Sequence, residues 1–173
     1  MSIYLIGYMA CGKSTIGKLL AKELSYNFID LDTYIETQEN KSISEIFETR
    51  GEIYFRKQEA IYLKEVIEND NGKTVFSLGG GTPCYGTNLD ILKTANAKTV
   101  YLNVPVGVLT QRLWDARGDR PLVAGQDTYE ALEEYVRKHL FERGFYYNQS
   151  QHNIKTNGES PEAIAKAIQE KLF

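Results

Sequence analysis

Cysteine is scarce in this sequence: Cys11 and Cys84 are the only two in 173 residues. Their positions offer neither metal-ligand spacing nor a disulfide framework, and both suit a reducing compartment. Cys11 is expected to act as a small residue filling a loop. Histidine is equally rare, and His139 and His152 stand too far apart to share a metal, so neither receives a role. An excess of one charge is also missing. Twenty Lys+Arg against 23 Asp+Glu leave a net charge of −3. Such a balance excludes the broad basic field that holds a nucleic-acid backbone, although a small anionic ligand needs only a local basic site. No apolar run approaches the roughly 20 residues that span a bilayer, so no membrane association is expected. The first strand begins so close to Met1 that a signal peptide has no room, and a cytoplasmic location is expected. There is no repeat or low-complexity tract. The length suits a single domain, 1–173, with a sizeable core.

What is present is organised around Gly7-Tyr8-Met9-Ala10-Cys11-Gly12-Lys13-Ser14-Thr15, which fits the pattern G-x-x-x-x-G-K-[ST] in full. The apolar, β-rich run Ile3-Tyr4-Leu5-Ile6 precedes it. Ile16, Leu19, Leu20 and Leu24 follow at helical spacing. Strand, glycine loop and helix thus come in the order a phosphate cradle needs: glycines let backbone N–H groups turn inward, and the helix N-terminus favours the anion. Lys13 is then placed to reach the β and γ phosphates, and the Ser14 hydroxyl to ligate Mg²⁺.

Further along, Tyr26-Asn27-Phe28-Ile29 reads as a second strand ending at Asp30-Leu31-Asp32, with both carboxylates on one side of an extended segment and facing the crevice above the loop. Ser42-Ile43-Ser44-Glu45 is a capping box, Gly51 breaks the helix it starts, and a second helix carries Phe55, Arg56 and Glu59. This helical insertion, about 32–62, reads as a substrate-binding flap. A third strand, Thr74-Val75-Phe76-Ser77-Leu78, runs into Gly79-Gly80-Gly81, where a ligand is expected to approach the backbone closely. Thr99 to Asn103 forms a fourth strand. The stretch 117–128 has no apolar periodicity yet bears Arg117 and Arg120, and is a candidate lid. A helix from Tyr129 to about Arg143 follows, then a fifth strand around His152-Asn153-Ile154-Lys155 and a last helix begun by Ser160-Pro161. Alternating strands and helices of this kind predict a three-layer α/β domain with helices on both faces of a parallel sheet.

The joint order of these motifs resembles the shikimate kinases over nearly the whole chain. They are the N-terminal loop, Asp30-x-Asp32, Phe55-Arg56-x-x-Glu59, the glycine run, Arg120-Pro121-Leu122, and Arg143 before Tyr146-Tyr147. The resemblance implies a P-loop kinase fold with a five-stranded parallel sheet, a lid and a flap, acting as a monomer. It also implies transfer of the γ-phosphoryl of ATP to the 3-hydroxyl of shikimate, in the pathway to aromatic amino acids. By similarity, Ala10, Cys11, Gly12, Lys13, Ser14, Thr15 and Arg120 bind ATP. Arg56, Arg143, Asp32 and the Gly79, Gly80 and Gly81 backbone bind the acceptor. Ser14 holds Mg²⁺ directly and Asp30 through water, and Lys13, Asp32 and Arg120 act in catalysis, Asp32 as the base. Residue types agree with this, since a hydroxylated ring acid wants guanidinium forks at one end and a carboxylate at the other.

The chain departs from the family in three places. Ala10 stands where members commonly have glycine. Gly158 occupies a position where some relatives carry an adenine-contacting arginine, with Arg112 a candidate from the other side. No aspartate follows the third strand as a second metal motif. A gluconate or nucleoside-monophosphate kinase, and a nucleotide-dependent binding protein without transfer activity, are the competing readings.

Overall fold

A computed structural model describes residues 1–119 and 125–173. Five strands, β1 Ser2–Ile6, β2 Asn27–Asp30, β3 Thr74–Ser77, β4 Ala97–Asn103 and β5 His152–Lys155, form one parallel sheet in the order β2-β3-β1-β4-β5. Every residue of central β1 is buried, as expected of a parallel strand covered on both faces. Its register pairs Leu5 with Ser77 on one side and Val100 on the other. The carboxyl ends of β1 and β3 therefore finish side by side, and that alignment delivers the loop after β1 next to the glycine run after β3.

Seven helices sheathe the sheet among the described residues: α1 Lys13–Leu24, α2 Leu31–Glu39, α3 Ile43–Glu68, α4 Asn88–Thr94, α5 Val106–Asp115, α6 Tyr129–Tyr147 and α7 Pro161–Leu172. Helix α1 packs on α7, and α5 on α6. The Ser42 hydroxyl accepts from Glu45 N at 3.1 Å while the Glu45 carboxylate accepts from Ser42 N at 2.7 Å, so the predicted capping box is made. Gly51 breaks α3 into two helical halves, as expected, with φ 84° and ψ 171°, a combination that only glycine adopts without large strain. Tyrosines tie α3 to α2. Tyr54 and Tyr62 donate to the Glu39 carboxylate at 2.8 and 2.7 Å, and Tyr34 donates to Glu65 at 2.9 Å.

Two boundaries differ from the sequence reading. The second strand stops at Asp30, and α2 begins at Leu31, so Asp32 lies in a helical first turn and not in an extended segment. The cause is local: the Asp30 carboxylate accepts from Thr33 N at 3.2 Å and caps α2, the preferred use of an aspartate at this position. Helix α6 also runs past Arg143 and through Gly144 to Tyr147. Glycine in a helix interior is unfavourable by about 1 kcal/mol relative to alanine, but the turn beyond it is anchored by a buried tyrosine described below. No helix among the described residues is long and apolar enough to cross a membrane.

Candidate active site

Two cavities meet at the carboxyl edge of the sheet. The larger, about 560 Å³, is walled by the loop residues Met9 to Ile16, together with Asp30, Asp32, Ser77 and Arg112, and closed at its far end by Glu159, Pro161 and Ile164. The smaller, about 340 Å³, is bounded by Arg56, Glu59 and Arg143 with the apolar side chains of Ile43, Phe47 and Phe55. Met9, Asp32, Gly79 and Gly80 face both. A shared wall of this kind is what transfer between two bound molecules requires, because the reacting atoms must come within about 3–3.5 Å.

In the loop, Gly12 has φ 98° and places no side chain over the start of α1, leaving the first-turn N–H groups open to an anion. A Cβ on Gly7 would lie 2.8 Å from Cys11 Sγ and 3.0 Å from the Leu102 carbonyl, so this position too demands glycine. Ala10 adopts φ 62°, the left-handed conformation that glycine takes at least cost. Cys11 is buried and fills the loop as expected. Lys13 is buried against the loop, its Nζ donating to the carbonyls of Gly7 and Tyr8 at 2.8 and 2.9 Å.

The oxygens at the floor of the larger cavity form a compact set. Ser14 Oγ donates to Asp30 Oδ2 and lies 3.2 Å from Ser77 Oγ. A carboxylate and hydroxyls beside a phosphate cradle suit Mg²⁺, which is held by one or two carboxylates plus substrate phosphates and keeps several waters. Ser77, the last residue of β3, had no role in the sequence reading, which looked for an aspartate after that strand and found none. Among the described residues no group of three His, Cys, Asp or Glu side chains could hold a metal alone. The donor set therefore fits an ion bound together with phosphates.

Asp32 lines both cavities by a route the sequence did not reveal, carried inward on the first turn of α2. Burial pushes its carboxyl up to about 6, reinforced by Asp30 and Glu59 and opposed by Lys13. That value suits a group that takes up a proton near neutral pH.

The glycine run explains how the other candidates converge. A Cβ on Gly79 would lie 2.9 Å from Asp32 Oδ1, one on Gly80 would lie 3.1 Å from Arg143 Nη1, and one on Gly81 would lie 2.6 Å from Arg56 Nη2. Three side chains distant in sequence thus touch three consecutive residues. Arg56 donates from Nη1 to Glu59 Oε1 at 2.9 Å, and its guanidinium stacks 3.9 Å from the Tyr85 ring centre. Its buried Nε makes no hydrogen bond among the described residues. Glu59 is itself buried and accepts from Thr82 Oγ1 at 2.7 Å. Glu59 has no role legible in its motif alone; its three-residue spacing from Arg56 on a helix is the available signal.

Arg112 donates to the Ala10 carbonyl at 3.1 Å and borders the larger cavity. Gly158 is not among the residues lining that cavity, whereas Glu159, Pro161 and Ile164 are. Arg117 folds back to donate to the Trp114 carbonyl at 2.7 Å and stacks 4.2 Å from the Trp114 ring centre. Arg120 lies outside the described residues, so the expectation that it completes the ATP site has no counterpart in this geometry.

A phosphate loop between strand and helix, a sheet of this order and a second cavity across a shared wall define a P-loop kinase of small molecules. Comparison with known proteins narrows the class. The family model for shikimate kinase matches residues 9–173, and the chain belongs to that family. A shikimate kinase of Flavobacterium johnsoniae is 42% identical over 166 residues, covering 96% of this chain and 95% of that protein. A shikimate kinase structure from Bacteroides thetaiotaomicron is 35% identical with a TM-score of 0.87, covering 99% of this chain and 98% of that one. A shikimate kinase from Acinetobacter baumannii, solved in complex with shikimate, is 32% identical with a TM-score of 0.88, covering 99% and 92%.

Proposed function

We propose that this chain transfers the γ-phosphoryl of ATP to the 3-hydroxyl of shikimate, giving shikimate 3-phosphate and ADP, with ATP in the larger cavity and shikimate in the smaller. The observation that carries the assignment of the residues is the convergence of Asp32, Arg56 and Arg143 on the glycine run. Two guanidiniums at a cavity of about 340 Å³ suit one carboxylate on a compact ring, and Ile43, Phe47 and Phe55 suit its carbon faces. A nucleotide acceptor would need room for a second base.

In this reading Arg56 and Arg143 hold the shikimate carboxylate, Glu59 fixes the Arg56 fork, and Asp32 orients the ring hydroxyls. Asp32 accepts the proton of the 3-hydroxyl as its oxygen bonds to the γ-phosphorus. The bond from that phosphorus to the bridging oxygen breaks, and ADP leaves with the electron pair. Lys13, exchanging its loop carbonyls for phosphate oxygens, and Arg120 supply positive charge to the transferring group. Ala10 to Thr15 cradle the phosphates. Ser14, with Asp30 through water and Ser77 alongside, would hold Mg²⁺, which when bound neutralises phosphate charge. The stretches 32–62 and 117–128 serve as flap and lid of one domain, in a monomeric cytoplasmic enzyme.

The test is a coupled assay of ADP release with ATP and Mg²⁺, comparing shikimate, gluconate and AMP as acceptors, alongside light scattering for the monomer. Shikimate is expected to dominate by orders of magnitude in kcat/KM. Preference for gluconate or AMP would overturn the substrate assignment. Tight ATP binding without acceptor-dependent ADP release would overturn transfer altogether.

A further inference from the structure

Arg143 and Tyr147 stand four residues apart on α6, so both project from one helix face toward the glycine run. Tyr147 is wholly buried, and its hydroxyl donates to the Gly80 carbonyl at 2.6 Å. Its ring packs against Tyr101 of β4, with centroids 5.2 Å apart. The phenol is thus held from behind by the central sheet while its tip grips the segment between the two cavities. Gly80 is the residue whose missing Cβ leaves room for Arg143 Nη1 on one side and for the Met9 backbone N on the other, at 3.1 and 3.3 Å from the position a Cβ would take. A rotation of the Gly80 peptide would therefore shift the shared wall against Arg143.

We propose that Tyr147 is a positioning residue of the acceptor cavity: its hydroxyl locks the Gly80 peptide and so sets the spacing between the glycine run and the Arg143 guanidinium. The inference rests on the reading of the smaller cavity as the shikimate site. One turn of α6 then carries both the arginine that meets the substrate carboxylate and the phenol that fixes the wall it is measured against. The same clamp accounts for the continuation of α6 through Gly144, since Tyr147 is the side chain that ties the final turn into the core. Tyr147 is not among the residues that line either cavity. Gly80 borders both cavities but Arg143 lines only the smaller, so the loss is expected to be larger for the acceptor than for the nucleotide.

The experiment is steady-state kinetics of Y147F, with Y101F as control, run below the melting transition of each variant and with KM resolved for each substrate. Wild-type turnover of shikimate tests the underlying assignment; the ratio of variant to wild type tests the clamp. Y147F is expected to raise the KM for shikimate about tenfold while the KM for ATP stays within twofold. Y101F, which keeps the stacked ring and the clamp, is expected to match wild type. Unchanged shikimate KM in Y147F, equal losses for both substrates, or an equal loss in Y101F would overturn the proposal. So would a Y147F chain that does not fold at any temperature, because the hydroxyl would then serve global stability.

Discussion

Asp32 joins two opposing demands in one carboxylate. Its position gathers Asp30 and Glu59 around a half-buried acid, and the same crowding that raises its proton affinity to about 6 makes its ionised form costly to hold. Because the folded-state value lies above the unfolded one, the stabilising contribution is full below the ordinary carboxylate range near pH 4 and is lost as pH rises through about 6. Asn at this position cannot ionise. D32N should therefore lower turnover by a factor of at least about 10², yet raise stability above pH 7 by roughly 3 kcal/mol. The stability gain should vanish near pH 4, which denaturant titrations at the two pH values check. In the wild type, kcat/KM for shikimate should fall as pH drops through about 6, when Asp32 gains its proton. A second residue-scale test uses Gly81, which has φ −91° and so accepts alanine without backbone strain. The methyl of G81A would fall among the Arg56 guanidinium atoms, 2.6 to 2.9 Å away. It should raise the KM for shikimate at least tenfold with little change in melting temperature, because the displaced atoms end a flexible side chain.

At the scale of elements, the kink of α3 sets apart the segment that carries Arg56. Gly51 separates the half of the helix capped by Ser42 from the half that bears Arg56 and Glu59. A Cβ at Gly51 would meet nothing within 4 Å, so packing cannot be the reason for glycine there. Backbone conformation is the reason. G51A should lower stability by about 1–3 kcal/mol and weaken shikimate binding, while leaving ATP affinity unchanged; denaturant titration and calorimetric titration with each ligand check both parts. The Glu39 carboxylate, bonded by Tyr54 and Tyr62 from beyond the kink, ties α2, which carries Asp32, to the part of α3 that carries Arg56. Two of the twelve tyrosines thereby acquire a reason.

For the whole molecule, the consequence of a wall common to both cavities is linkage. Whatever orders Met9, Asp32, Gly79 and Gly80 for one ligand orders them for the other. ADP with Mg²⁺ should therefore tighten shikimate binding by about 5-fold or more, and shikimate should tighten ADP binding by the same factor, since coupling is reciprocal. Titration calorimetry in both orders measures this, and removal of Mg²⁺ by chelation should abolish the nucleotide effect and turnover together.

The linear sequence determined the elements that depend on neighbours along the chain. Loop glycines, the capping box, strand patterning and the break at Gly51 are local preferences of backbone and side chain, and motif order was enough to indicate the family. Even so, local reading misplaced Asp32, because it could not tell that the Asp30 carboxylate would turn back to Thr33 and start a helix. Only the tertiary structure decided that Arg56, Arg143 and Asp32 meet, that Ser77 stands beside Ser14, and that Tyr147 grips Gly80. The Tyr147–Gly80 contact alone joins residues 67 positions apart. Such contacts are set by sheet order and by the depth at which helices pack, quantities that no single stretch of sequence encodes.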